Sequence, residues 1–154
     1  MAGTIVAFLL NILSNGMLLL FINFILKIEL FEEYVYTLIL IALGNLFGIA
    51  LGVFIGSSNK KSFNVKTVMG IAITLFLSFL SGLMGPWIKA IIDKNAPIIG
   101  RINPISIITN NLYRINILGN KSSAIEGILI LLLYSILLLF MSYVFLRRKS
   151  YDSL

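Results

Sequence analysis

Apolar and polar positions fall along this chain in long blocks. Four runs, at about 4–26, 35–55, 67–84 and 124–146, are almost wholly apolar, and none carries a charge at its middle. A run of roughly 18–20 such residues has the length of a helix that crosses a bilayer core. The pattern predicts an all-α polytopic membrane protein with four transmembrane helices in a single transmembrane domain over 1–154. The first run lacks the basic n-region of a secretory signal and is too long for its apolar core, so it reads as a retained helix. Asn11 and Asn15 share one face of it, with Asn23 further along. Amides in a span are expected to hydrogen-bond to a neighbouring helix. In the second run Gly44, Gly48, Gly52 and Gly56 recur every fourth residue and form a stripe of small residues. Such a stripe lets two backbones approach closely in lipid, first within the subunit and alternatively between subunits. In the third run Thr74, Ser78 and Ser81 lie near one another on the helix surface.

The stretch 81–113 breaks the block pattern and holds all three prolines. Gly85-Pro86 is expected to end the third span, because proline lacks an N–H and clashes with the preceding turn. Pro86 then suits the first position of a short helix reaching about Lys94. On it Trp87, Ile88, Ala90, Ile91 and Ile92 share a broad face, with Lys89 and Asp93 opposite. Asn95-Ala96-Pro97 ends that piece. Asn103-Pro104 reads as the N-cap and first position of a second short helix. Its Ile105, Ile107, Ile108, Leu112 and Ile115 face one way, and Ser106, Thr109, Asn110 and Tyr113 the other. The expectation is a two-helix hairpin over about 86–115, either interfacial or re-entrant. Irregular backbone at membrane depth is tolerated where protein covers it or it lines a wet cavity, so a re-entrant hairpin belongs at a gate. Gly82, Gly85, Pro86, Trp87, Asn95, Pro97, Asn103 and Pro104 are its candidate residues.

Charge adds topology. The chain has a net charge of +6, with its basic residues near the ends of the apolar runs. That placement points to a membrane and away from nucleic acid. The segment 57–66 carries Lys60, Lys61 and Lys66 and no acid, and the fourth run ends in Arg147, Arg148 and Lys149. Both are expected on the cytoplasmic side, with both termini cytoplasmic and the hairpin outside. The connection 27–34, with Glu29, Glu32 and Glu33, also falls outside. Lys89, Lys94, Arg101, Arg114 and Lys121 in the long outer segment run against the rule, and are discounted because that segment is long and folded. Ser123 and Glu126 have the spacing of a capping box at the start of the fourth span. The tail 150–154 is expected to be disordered.

The sequence contains no cysteine and no histidine. Disulfides, thiol metal sites and the commonest general base are therefore excluded. No charge within a span offers a proton or ion relay. No nucleophile has a base in reach, and no GxxxxGK phosphate loop occurs. The chain is expected not to be an enzyme and to need no cofactor; energy for any driven work comes from a partner.

The segment 79–113, FLSGLMGPWIKAIIDKNAPIIGRINPISIITNNLY, resembles the C-terminal half of ABC-2-type transporter permeases of Gram-positive bacteria. These carry a similar FLSGLM…NAPIINKINP…LY signature between their fifth and sixth helices. GNLFGIALGVFIGSSNKK resembles their fourth helix and its cytoplasmic end, and SYVFLRRKSYDSL their C-terminal helix and basic tail. The resemblance implies a permease in the bacterial cell membrane that pairs with a second permease subunit, identical or not, and rests on a cytoplasmic ATP-binding subunit. It implies substrate movement, usually export, by alternating access. It makes 86–115 an outer hairpin that closes the pathway, and Asn59, Lys60 and Lys61 an ATPase-facing loop. Set against the family's six spans, the resemblance implies that the first two spans, the outer domain and the coupling helix before the third fall outside this sequence, as in a fragment of a longer permease, a split gene or a truncated frame. That expectation keeps a second class open: a non-transporting accessory or immunity protein that associates with another permease.

Overall fold

The computed structural model describes residues 2–25, 34–58 and 60–151, and the described residues are helical with no strand. α1 spans Ala2–Leu20 and continues as a wider π-type turn, Phe21–Ile25. α2 is Tyr34–Ser58, α3 Phe63–Leu80, α4 Pro86–Asn95, α5 Pro97–Ile102, α6 Pro104–Asn116 and α7 Lys121–Tyr151. Four segments are long and apolar enough to cross a membrane: Ile5–Ile25, Tyr34–Ser58, Phe63–Leu80 and Ala124–Arg147. The protein is thus an all-α polytopic membrane protein. Residues 27–33, with the three glutamates, lie outside the described residues, as do Leu26, Asn59 and 152–154.

Several boundaries differ from the sequence expectation. α3 ends at Leu80, before Gly85-Pro86. Gly82 has φ +83°, its N–H donates to Phe79 O at 3.1 Å, and the Leu83 N–H donates to Ser78 O at 3.2 Å. That pair of bonds is a Schellman motif, which turns the chain out of the helix with glycine in the left-handed region. At its other end α3 starts at Phe63, so Lys66 lies in its first turn and not in a loop. The Lys66 ammonium reaches Gly56 O at 2.8 Å and satisfies a carbonyl at the end of α2. α7 starts at Lys121, so Ser123 lies inside the helix and not at its N-cap; Ser122 Oγ instead meets Asn120 Oδ1 at 2.8 Å. α7 also continues to Tyr151, past the expected end near 146. The hairpin holds three helices, not two, because Pro97 opens α5 where a turn was expected.

α2 and α7 form the most extensive helix pair. On α7, Ala124, Leu131, Ser135 and Ser142 are buried at spacings of seven, four and seven residues. This is the seam spacing of helices that cross at a shallow angle. Two of the four are serines whose hydroxyls bond the carbonyl four residues back, Leu131 O and Leu138 O. Small side chains with internally satisfied hydroxyls permit close helix contact without hydrophobic drive from water. Phe47 packs on Tyr134 and Phe54 on Phe145, with ring centroids 6.5 and 6.0 Å apart. α1 touches the bundle lightly. Asn15 Nδ2 donates to Asn45 Oδ1 at 3.1 Å, an interhelical amide bond, while Asn11 bonds Ala7 O of its own helix.

The core gathers Leu40, Ile107, Ile115, Ala124 and Leu131, from α2, α6 and α7. α6 is therefore a structural partner of the spans and not a loop across their ends. Asn116, at its end, bonds Thr37, whose Oγ1 lies 3.0 Å from Asn116 Nδ2, roughly 5 Å along α2 from Tyr34. Ile108, near the start of α6, lies against Gly44, roughly 15 Å along α2. α6 thus begins well inside the bundle and runs back toward the end where α2 and α7 begin.

Candidate functional site

The break between α5 and α6 is held from two sides. Tyr134 Oη, roughly 20 Å along α7 from Lys121, donates to Ile102 O at 2.9 Å. Asn103 is buried. Its Oδ1 accepts the Ile105 N–H at 3.0 Å, capping α6, while its Nδ2 donates to Leu77 O at 2.7 Å on α3. One amide therefore caps its own helix and adds a second bond to a carbonyl in the last turn of another, which already accepts the Ser81 N–H. Pro104 is buried beside it, at the first position of α6, where its missing N–H is no loss.

The other hairpin residues divide by role. Pro86 and Pro97 open α4 and α5. Asn95 is exposed and bonds Ile91 O of its own helix at 3.0 Å. A Cβ on Gly82 would come within 2.6 Å of Lys89 Cβ, and one on Gly85 within 2.7 Å of the Trp87 indole nitrogen. Gly82 thus folds the chain back onto α4. Trp87 itself is exposed, as is Ile91, while Ile88 and Ile92 are buried. α4 therefore carries three stripes at i, i+4: one toward protein, one outward, and a third of Lys89 and Asp93 toward a cavity. α6 departs further from the expected two faces, since Ser106 and Asn111 are buried alongside Ile107 and Ile115. α2, α3 and α7 pack against α6 and cover part of its polar side, while Asn110, Tyr113 and Arg114 face a cavity.

The cavity has a volume of about 720 Å³ and lies between α4, α5, α6 and the first turns of α7. Lys89, Asp93, Arg101 and Arg114 line it from the hairpin, and Glu126 from α7. Lys89 bonds Asn110 Oδ1, which ties α4 to α6 across one wall. The side chains of Asp93, Arg101 and Glu126 have no hydrogen-bond or ion-pair partner among the described residues. Glu126, expected to act as a helix cap, faces this cavity instead.

The remaining candidates lie elsewhere. Gly44 packs on Ile108, with a built Cβ 3.1 Å from Ile108 Cδ1. At Gly48, Gly52 and Gly56 nothing lies within 4 Å of an added Cβ, and all three are exposed. Close packing within the subunit is therefore confined to Gly44, and the lower stripe is open. Lys60 and Lys61 are exposed at the opposite end of the bundle from the hairpin. No group of three or more histidine, cysteine, aspartate or glutamate side chains gathers as a metal site among the described residues.

Tyr134, Thr37, Asn111 and Gly127 were not singled out from sequence. The signal for each was faint: one polar group or one glycine inside an apolar helix for Tyr134, Thr37 and Gly127, and one of several polar residues on α6 for Asn111.

A helical bundle that packs a broken, proline-punctuated hairpin among its spans defines a polytopic membrane protein with irregular backbone at span depth. The model of the family described as ABC-2 family transporter protein matches residues 1–144, and the chain belongs to that family. It carries a membrane permease domain of an ABC transporter, a transmembrane component that is not itself catalytic. The family implies an ATPase partner in general terms. No curated protein and no solved structure matches the chain.

Proposed function

We propose that the chain serves in the bacterial cell membrane as the permease part of an exporter, moving substrate by alternating access driven by a cytoplasmic ABC-type ATPase subunit. The observation that carries this reading is the position of α6. It is a broken-hairpin helix packed against α2, α3 and α7, with its start tied to α3 through Asn103 and to α7 through the Ile102 carbonyl. A tie of this kind joins two spans at one point, so relative motion of α3 and α7 must move or break it. The hairpin is then the outer gate. The Lys60-Lys61 end, with both termini, faces the cytoplasm and the ATPase. The open stripe of Gly48, Gly52 and Gly56 faces a second permease subunit, where small residues let helices approach.

The test is a tagged pull-down from native membranes in mild detergent, with mass spectrometry of the co-purifying chains. An ATP-binding cassette subunit, together with a second permease chain, is the expected result. Recovery of other membrane proteins without any ATPase overturns the export mechanism and leaves the accessory reading.

A further inference from the structure

We infer that the cavity between α4, α5, α6 and α7 binds the zwitterionic headgroup of a phospholipid, a phosphate with an ammonium a few bonds away. The inference stands on the cavity alone and does not require that the chain transports anything.

Charge is scarce in this protein, at 12% of residues. Five charged side chains nevertheless line one cavity: Lys89, Arg101 and Arg114 as cations, Asp93 and Glu126 as carboxylates. They come from four different helices, so no single amphipathic pattern accounts for their convergence. A cluster that existed to hold the fold together would neutralise itself. Here Asp93, Arg101 and Glu126 have no partner among the described residues. A purely anionic ligand would meet two carboxylates, and a purely cationic one three cations. A ligand that carries both signs satisfies each set. Guanidinium groups favour phosphate oxygens, which they can bind through two N–H groups at once. An ammonium supplies the donors that Asp93 and Glu126 accept.

The volume of about 720 Å³ lies in the range of cavities that enclose small organic groups. The surroundings favour a lipid over a free solute. Trp87, Ile91, Ile98 and Ile102 stand exposed on the outward side of α4 and α5, next to the helices that form the cavity wall. They offer an apolar ridge on which acyl chains lie while the headgroup enters. One end of the cavity lies near the start of the Ala124–Arg147 span, with Glu126 roughly 8 Å along α7 from Lys121.

The experiment uses the full chain in mild detergent, with native mass spectrometry after addition of phosphatidylethanolamine or phosphatidylglycerol. The wild-type protein is expected to retain the ethanolamine lipid in preference. Arg101→Gln lowers retention of both lipids by about tenfold, the effect of losing a hydrogen bond to a charged group. Glu126→Gln removes the acceptor for the ammonium and shifts the preference toward phosphatidylglycerol. Both side chains are exposed, so neither change threatens folding, and a reversal of preference is not an effect that misfolding produces. Equal retention of both lipids by wild type and by both variants overturns the proposal. Displacement of the lipid by water-soluble glycerophosphoethanolamine at equal concentration overturns the lipid as the source, and moves the site to a free zwitterion.

Discussion

The Asn111 amide on α6 occupies the space that a side chain at position 127 on α7 would fill. A Cβ built on Gly127 would lie 2.7 Å from Asn111 Cγ and would overlap Nδ2 outright. Asn111 is buried there at the edge of the cavity, with its Nδ2 donating to Ile107 O at 2.8 Å, so making room for a side chain at 127 means breaking that bond and turning the amide away. The contact fixes how closely the hairpin helix approaches the last span.

Gly127→Ala is therefore expected to destabilise the protein by about 1–3 kcal/mol, the range for an overpacked core site. The measurement is thermal aggregation in mild detergent. Asn111→Ala in the same chain should recover most of the loss, because the smaller side chain vacates the space. An unchanged transition temperature for Gly127→Ala alone would remove the contact from any account of α6–α7 packing.

At the α5–α6 break, Asn103→Ala deletes both a helix cap and a bond to α3. A loss of about 2 kcal/mol is expected, near the upper end for a cap. Tyr134→Phe deletes only the bond to Ile102 O and should cost about 1 kcal/mol. Hydrogen exchange read by mass spectrometry should show faster exchange confined to 97–110 in both variants. Protection equal to wild type across that segment would mean that the two ties do not hold the hairpin.

Gly82 combines φ +83° with a Cβ position 2.6 Å from Lys89 Cβ. Gly82→Ala meets both obstacles and is expected to cost roughly 1–2 kcal/mol from the left-handed backbone alone. Gly85→Ala provides the control: its backbone is extended and its nearest neighbour is the end of an exposed indole, which can swing away. Limited proteolysis in detergent should cleave the 82–95 region faster in Gly82→Ala than in Gly85→Ala.

The glycine ladder separates into two experiments. Gly44→Leu should disturb the fold of the single chain, because Ile108 stands 3.1 Å from its Cβ. Gly52→Leu should leave the single chain's thermal stability unchanged and weaken association between permease subunits, read by cross-linking in membranes. Association of Gly52→Leu at wild-type level counts against the stripe as a contact between subunits.

How much of this was legible in the sequence varied with the physics of each feature. The four spans were legible, because a backbone in hydrocarbon must satisfy its own hydrogen bonds and a long uncharged run has one way to do so. Pro104 and Asn103 also marked the start of α6 in advance, since a proline at the first position and an amide cap act through local geometry. α3 ends one turn before the conspicuous Gly85-Pro86, because Gly82 turns the chain out of the helix first.

Tertiary structure decided the rest. In water an apolar face marks the core, but in lipid the outward face is as apolar as the inward one, so periodicity does not tell which side of a span meets protein. Nothing local distinguished Gly44, pressed on Ile108, from Gly48, Gly52 and Gly56, which stand open. Nor could spacing bring Lys89, Arg101, Arg114, Asp93 and Glu126 to one cavity, since they meet only when three short helices fold back against α7. Local sequence specified the four apolar spans and the starts of α4 and α6, because both follow from neighbouring residues. Which helix lies among the spans and where the charges converge were settled by packing, because those depend on contacts between residues far apart in the chain.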